Sequence, residues 1–206
     1  PLALLAGFHW RAFAAAAVTV IATAAGAYLV FGRQIWTAFF GSAEFTREVV
    51  LEQGQTGWQK IQSLFSAVRA WGGTVDMAYA AQGLLAVVLA VSIAWLWRSR
   101  AAFDLKAAAL VAASLLATPY VLDYDLVVLA IAGAFLVRHG LANGFRDFEI
   151  SALAFAWTAP LVSRSIAQVT TVPLGLLAML TLYGLIVRRA ASDLAETNRR
   201  HTLVEA

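Results

Sequence analysis

The stretch AAALVAASLLATPYVLDYDLVVLAIAGAFLV, residues 107–137, decides how this chain folds. Its 31 residues are nearly all apolar, but Pro119, Asp123 and Asp125 interrupt them. A helix needs about 20 apolar residues to cross the hydrocarbon of a membrane, so the stretch is too long for one comfortable crossing. Because proline disfavours a helical conformation at the residue before it, the first helix should end near Thr118. The pattern therefore predicts a hairpin of two short spans.

The rest of the chain has the composition of a membrane protein. Of its 206 residues 61% are apolar and 13% are charged, whereas a soluble domain is about 45–50% apolar and about 25% charged. We therefore predict an all-α, polytopic transmembrane helical bundle. Its six spans are expected at about 12–31, 78–97, 105–118, 122–137, 148–162 and 172–187. Pro160 and Pro173 should lie near the turn between the last two spans.

The distribution of basic residues orients these spans. If Arg11 is cytoplasmic, ten of the fifteen lysines and arginines fall on the cytoplasmic side, in agreement with the positive-inside rule. The loop 32–77 and the segment TPYVLDYD then lie outside. The tail 188–206 is cytoplasmic, and 190–206 should be its polar, frayed end. We expect residues 1–206 to be a single transmembrane domain. The opening PLALLAGF resembles the tail of an apolar segment, so we also expect a C-terminal fragment of a longer protein.

The outer loop 32–77 carries two helical patterns. The first is an acidic stripe with a spacing of four, made of Glu44, Glu48 and Glu52. The second covers residues 58–71, where apolar side chains follow the i, i+3, i+4, i+7 spacing of an amphipathic helix. Such a tryptophan-rich helix is expected to lie on the membrane surface. Thr56 should cap its start and Gly72 should end it.

Asp123 and Asp125 allow two interpretations. Both could accept hydrogen bonds from backbone N–H groups where a helix restarts after Pro119. Alternatively, an ionisable group at membrane depth faces a cavity or a ligand path. The DYD triplet also matches the Asp-x-Asp signature with which many glycosyltransferases hold a metal and a nucleotide sugar, but that signature belongs in a soluble α/β domain. A divalent metal held by these oxygens remains chemically open.

Three basic residues predicted outside are candidates for binding an anionic lipid phosphate, and they are Lys60, Arg69 and Arg164. The alternative is that each is solvated or reaches lipid head groups. Arg69 is the best candidate, because it lies on the predicted amphipathic helix and a guanidinium holds phosphate with two donors. The chain has no cysteine, which excludes disulfides and thiolate metal sites, and its net charge of +3 gives no reason to expect nucleic acid.

Two blocks resemble a known family: GQTGWQKIQSLFSAVRAWGG, residues 54–73, and KAAALVAASLLATPYVLDYDLVVLA, residues 106–130. With WLWRSR between them, they are similar to the C-terminal half of bacterial glycosyltransferase family 87, from about Gly7 to Ala190. The resemblance implies a GT-C-type fold in the bacterial cytoplasmic membrane. It also implies a hexosyltransferase that moves a hexose, such as mannose, from a polyprenyl-phosphate carrier to a lipid or glycan acceptor outside.

The resemblance further implies a site at the outer face. The expected sugar or acceptor pocket consists of Tyr120, Asp123 and Asp125, and the expected donor-phosphate ligands are Arg69, Arg164 and Lys60. In GT-C enzymes the catalytic carboxylate normally lies in the first outer loop, so we expect it upstream of this chain and expect the chain alone to be inactive. Two alternatives from other classes are a transporter or channel fragment with an outer acidic site and a non-catalytic membrane scaffold.

Overall fold

The computed structural model describes the backbone of residues 1–205 and the side chains of residues 1–197 and 199. The α-helices are α1 (Leu2–Ala6), α2 (Trp10–Phe31), α3 (Arg33–Phe45), α4 (Leu64–Ala70), α5 (Val75–Arg98), α6 (Phe103–Ala117), α7 (Leu129–Asn143), α8 (Glu149–Thr170) and α9 (Leu174–Glu205). A π-helical segment covers Thr46–Glu52, and 3₁₀ turns cover Trp58–Lys60 and Asp123–Val128. Within the described range no β-strand forms, which confirms the predicted all-α class. The chain divides into two compact units, Pro1–Gly57 and Trp58–Ala206.

The first unit contains α1 to α3 and the π-helical segment. None of the side chains of α2 is buried, although the helix has 22 residues. Gly32 adopts a positive φ of 73° and separates α2 from α3. After α3 the chain changes to π-helical geometry, which has more residues per turn. The acidic stripe predicted with a spacing of four is therefore not one continuous α-helical face.

The second unit is a bundle of α5 to α9 with α6 in its centre. Helix α6 packs against α5, α7 and α9, and small side chains make this close packing possible. Its fully buried residues include Leu105, Ala108, Ala109 and Ala112. Successive helices run in opposite directions, so the end of α6, the start of α7, the end of α8 and the start of α9 share one end of the bundle. We call this the Asp123 end and the opposite one the Glu149 end.

In the part of the chain that the structure describes, five helices are long and apolar enough to cross a membrane, in the ranges Trp10–Phe31, Val75–Arg98, Asp123–Asn143, Glu149–Thr170 and Leu174–Thr197. Helix α6 has 15 residues and rises roughly 22 Å, less than the about 30 Å of hydrocarbon. The outside of the bundle exposes large apolar side chains, for example Val91, Leu161 and Val169 at 65%, 81% and 84%. Such a surface fits lipid and not water, so the chain is a multi-pass membrane protein.

The hairpin predicted in 107–137 is present as two helices. Helix α6 ends at Ala117 and Thr118 is extended, with ψ 139°, directly before Pro119. The prediction for the last two spans was wrong in one respect, because α8 continues through Pro160 to Thr170. A proline removes one backbone hydrogen bond, which neighbouring helices and local adjustments compensate in membrane helices. The turn lies instead at Thr171, which has a φ of 59°.

The continuous helix predicted over 58–71 was also wrong. Helix α4 begins only at Leu64, and its cap is Ser63, whose Oγ accepts a hydrogen bond from the backbone N–H of Ser66 at 3.1 Å. Thr56 therefore does not cap this helix. Ile61 leaves the helical path and forms an antiparallel bridge with Leu122. A backbone partner distant in sequence therefore overrides the local amphipathic pattern.

Candidate functional site

Gln62 holds the loop that carries the predicted carboxylates. This side chain is fully buried. Its backbone N–H donates to the carbonyl of Val121 at 2.7 Å, and its Oε1 accepts the N–H of Gly175 at 3.0 Å. The bridge between Ile61 and Leu122 continues the same pairing. The connection between α6 and α7 is thereby fastened to the start of α9.

A second buried glutamine, Gln82 on α5, fixes the neighbouring helix ends. Its Oε1 accepts the N–H of Phe65 at 3.1 Å, and its Nε2 donates to the carbonyl of Leu116 at 2.9 Å, in the last turn of α6. Buried polar groups that are satisfied in this way specify one arrangement of the surrounding elements. Sequence reasoning missed both glutamines. Gln82 could have been identified from the sequence, because it lies inside the predicted span 78–97 and a polar residue in a span commonly hydrogen-bonds to another helix.

Asp123 and Arg164 are brought together at this end of the bundle. Arg164 lies near the end of α8, and its Nη1 is 3.9 Å from Oδ2 of Asp123. Oδ1 of Asp123 accepts the backbone N–H of Tyr124 at 3.1 Å. The Arg164 side chain is 54% exposed and that of Asp123 is 20% exposed. Such a long, partly exposed pair contributes little to stability, and the exposed part of the Arg164 side chain is accessible to a polar ligand.

Asp125 makes a capping contact. Its Oδ2 accepts the N–H of Leu122 at 2.9 Å, and its own N–H donates to the Leu122 carbonyl at 3.0 Å. This is the arrangement that the capping interpretation predicts for a carboxylate in the first turn. Asp123 and Asp125 thus have different partners on the same 3₁₀ turn. Among the described residues, no three histidine or acidic side chains cluster as a metal site requires.

The other predicted residues, Arg69, Lys60 and Tyr120, have different surroundings. The guanidinium of Arg69 stacks over the ring of Trp58 at 5.1 Å, and its Nη1 donates to the carbonyl of Gly73 at 2.7 Å. Lys60 is half-buried at the end of a 3₁₀ turn. Tyr120 is half-buried, and its N–H donates to Oγ1 of Thr118 at 3.2 Å. The geometry therefore favours Arg164 over Arg69 as a ligand for an anion.

An apolar groove of about 560 Å³ lies between α7 and α8. Its lining includes Leu129, Gly133 and Val137 from α7, and Ile150, Leu153 and Trp157 from α8. Thr158, six residues before Arg164, is at one limit of this lining. A rise of 1.5 Å per residue places Arg164 roughly 9 Å further along α8, and Leu129 follows the 3₁₀ turn of Asp123 directly. The groove therefore runs along the half of α8 nearer the Glu149 end, and its other limit, at Leu129 and Thr158, lies toward the Asp123–Arg164 pair.

A larger charge cluster lies at the Glu149 end. Nη1 of Arg189 contacts both carboxylate oxygens of Glu149, at 3.0 and 2.9 Å, while its Nε reaches Asp193 at 3.0 Å. Arg146 and His139 each approach Asp193 to 2.9 Å. Because these groups neutralise one another, the cluster is a structural joint between the α7–α8 connection and α9. It also accounts for α9 remaining helical as far as Asp193, where a frayed end was predicted from residue 190.

Comparison with known proteins supplies one match. The sequence profile of glycosyltransferase family 87 matches residues 1–119, more than half of the 206 residues. The match confirms the resemblance to this family but ends at Pro119, so it does not include Asp123, Asp125 or Arg164, and it is shorter than the range that the sequence blocks indicated. No curated protein and no solved structure matches the chain.

Proposed function

Because the chain belongs to glycosyltransferase family 87, we propose that it forms the part of a membrane glycosyltransferase that binds a polyprenyl-phosphate sugar donor. Membership of the family favours a transferase over the transporter and scaffold alternatives. We propose further that the sugar is a hexose, and that the acceptor is a lipid or glycan reached at the Asp123 end, outside the cytoplasmic membrane. The observation that supports this proposal best is the Asp123–Arg164 pair, which lies roughly 9 Å along α8 beyond one end of an apolar groove.

The groove suits the hydrocarbon chain of such a donor. Its volume of about 560 Å³ lies within the roughly 300–1,000 Å³ of typical ligand sites. Its lining side chains are apolar except for the hydroxyl of Thr158. Since α7 and α8 are both in contact with the bilayer, an isoprenoid chain can enter sideways from lipid without crossing a polar barrier.

Arg164 is the proposed ligand of the donor phosphate. A charge-assisted, two-pronged contact between guanidinium and phosphate is stronger than a single exposed ion pair at 3.9 Å. The phosphate therefore replaces Asp123 as the partner of Arg164. Asp123 is then available to accept hydrogen bonds from hydroxyl groups of the sugar or the acceptor, with Tyr120 at the same loop.

The chemical step then follows from the positions of these groups. The acceptor hydroxyl attacks the anomeric carbon, the bond between that carbon and the phosphate oxygen breaks, and the phosphate keeps the electron pair. The hydroxyl proton passes to a carboxylate base, which the family resemblance leads us to expect outside residues 1–206. Arg164 stabilises the negative charge that develops on the leaving phosphate. Loss of one such preorganised donor commonly lowers kcat by about 10²–10³.

A matched pair of substitutions on α8 tests the donor site. In Ala154→Trp the indole fills the groove, whereas in Leu161→Trp the same side chain faces lipid outside the lining. The whole protein that contains this chain should be assayed in proteoliposomes with a polyprenyl-phosphate hexose. We expect KM for the donor to rise about tenfold in Ala154→Trp, which corresponds to about 1.4 kcal/mol of lost binding, and to stay near wild type in Leu161→Trp. Equal KM values in the two variants would exclude the groove as the donor site.

A further inference from the structure

The first unit exposes an aromatic face on α3. Trp36, Phe39 and Phe40 follow the i, i+3, i+4 spacing, which places them on one side of a helix. Their ring centroids lie 5.5–6.2 Å apart. Phe39 and Phe40 remain 59% and 63% exposed. We propose that α3 lies along the membrane–water interface, with this aromatic face turned toward the acyl chains of the bilayer.

The depth of α3 follows from the helix before it. The 22 residues of α2 rise roughly 33 Å, which matches the about 30 Å of a hydrocarbon core. One end of a membrane-crossing α2 is Phe31, which therefore lies close to the boundary with water. Gly32 alone separates Phe31 from α3, and one residue advances the chain by less than about 4 Å. Helix α3 consequently begins at the interface.

Gly32 also changes the direction of the chain. Its φ of 73° and ψ of −175° belong to a region that glycine adopts without the steric cost other residues have. The α-helical path of α2 is therefore interrupted at the boundary and does not continue into water. With 13 residues, α3 rises roughly 20 Å and is too short to cross the membrane again.

An interfacial position covers the aromatic face and leaves Arg33 and Glu44 within reach of water, and the alternatives do not do both. Upright in water, the helix would leave the rings of Phe39 and Phe40 hydrated. Fully in hydrocarbon, it would remove Arg33 and Glu44 from water at a large cost. Phenylalanine and tryptophan on one side with polar residues at the flanks are typical of helices that lie in the interface.

This inference does not depend on the proposed function. The sequence predicted a helix on the membrane surface at 58–71, and we assign that position to α3 instead. The corresponding segment of the second unit cannot take that role, because Phe65 on α4 is fully buried within the bundle. The aromatic face of α3 is instead an exposed surface within residues 32–77 that suits contact with lipid.

Single-cysteine labelling tests the orientation of α3. The method is suitable because residues 1–206 contain no native cysteine. An environment-sensitive fluorophore is attached in Phe39→Cys, Phe40→Cys and Ala38→Cys variants of the whole protein in phosphatidylcholine–phosphatidylglycerol liposomes. Ala38 is two residues from Phe40, so it points nearly opposite to it on a helix with 100° per residue. Quenching by lipids that carry a doxyl group is compared with quenching by a water-soluble nickel chelate.

We expect the ratio of lipid to aqueous quenching to be several-fold higher at positions 39 and 40 than at 38. Aqueous quenching at all three positions would place α3 in water and overturn the inference. Lipid quenching at all three would place it inside the hydrocarbon, with the same consequence. Protection from both quenchers at 39 and 40 would show that protein covers the aromatic face and would also overturn it.

Discussion

Two arginine–carboxylate pairs involve opposite ends of α8, and they differ in almost every physical respect. At the Glu149 end, Arg189 and Glu149 are 2.9 Å apart, with 3% and 1% of their side chains exposed. At the other end, Arg164 and Asp123 are 3.9 Å apart and 54% and 20% exposed. The first pair is saturated by contacts within the protein, while the second keeps much of its hydrogen-bonding surface accessible. The same two chemical groups therefore serve structure at one end and are suited to binding at the other.

The free energies assigned to the two pairs follow from their environments. Removing one partner of a buried pair leaves an uncompensated charge in the protein, which costs about 3–5 kcal/mol. An exposed pair contributes about 0.2–1 kcal/mol, because water solvates both groups when they separate. Substitutions at the Glu149 end should therefore change stability, and substitutions at the Asp123 end should change activity. The following predictions test this division.

The largest effect is expected for Arg189→Met. Methionine fills a similar volume but leaves Glu149 and Asp193 without their guanidinium partner. We expect the free energy of unfolding to fall by about 3–5 kcal/mol, measured by denaturant unfolding of the purified protein in detergent micelles. Because the α7–α8 connection is fastened to α9 by this residue, the loss should be accompanied by faster proteolysis near Gly144.

Arg188→Met is the matched control for that substitution. Arg188 is the preceding residue on α9, is exposed, and donates one hydrogen bond, to the carbonyl of Asp147 at 2.8 Å. Its removal should lower the free energy of unfolding by less than about 1 kcal/mol. If the two variants were equally stable, the Arg189–Glu149 pair would not be the structural joint described here.

The next effect concerns activity and is expected for Asp123→Asn. Asparagine keeps an oxygen that can accept the N–H of Tyr124 but loses the charge that faces Arg164. We expect transfer by the whole protein in proteoliposomes to fall at least about tenfold, which corresponds to about 1.4 kcal/mol in the barrier. The unfolding free energy should stay within about 1 kcal/mol of wild type.

Asp125→Asn provides the control on the same turn. Asparagine caps a helix about as well as aspartate, so the contact with the N–H of Leu122 should persist and transfer should remain within about threefold of wild type. A loss in Asp125→Asn as large as in Asp123→Asn would mean that both carboxylates line the pocket, as the sequence alone predicted. Wild-type rates in both variants would refute the site.

Local signals made part of this structure predictable. The length of the apolar run in 107–137 and the position of Pro119 were sufficient for the α6–α7 hairpin, because both act through neighbouring residues. The end of α8 was not predictable in this way, since continuation through Pro160 depends on packing around it. The break before Leu64 was also invisible, because the bridge from Ile61 involves a residue about 60 positions away.

The candidate site was predictable as a set of residues but not as an arrangement. The sequence indicated Asp123 and Arg164 separately, since each is a charged residue beside a predicted span. It ranked Arg69 first because that residue lies on the predicted amphipathic helix. The cation–π contact with Trp58 and the hydrogen bond to Gly73 do not follow from any spacing rule. Side chains compete for partners in three dimensions, and that competition is what distinguishes Arg164 from Arg69.

The smallest effect is expected for Asp104→Asn. This substitution tests whether exposure or contact geometry determines how much an arginine–carboxylate pair contributes to stability. Asp104 at the start of α6 accepts hydrogen bonds from two nitrogens of Arg138, with Nε at 2.9 Å from Oδ2. The pair has two N–H···O contacts, as the Arg189–Glu149 pair has through its single Nη1, but the Arg138 side chain is 62% exposed. If exposure decides, the substitution should lower Tm by roughly 2 °C or less at pH 7.

The hydrogen bond from Arg138 lowers the pKa of Asp104. A carboxyl group with a lowered pKa stabilises the folded state above its unfolded pKa, about 3.9, and this contribution is lost as the pH falls through the folded pKa. The Tm difference between Asp104→Asn and wild type should therefore be constant from pH 7 to about pH 5 and should disappear in more acidic solution. A decrease as large as that of Arg189→Met would show that two close N–H···O contacts, and not burial, make an arginine–carboxylate pair structural in this protein.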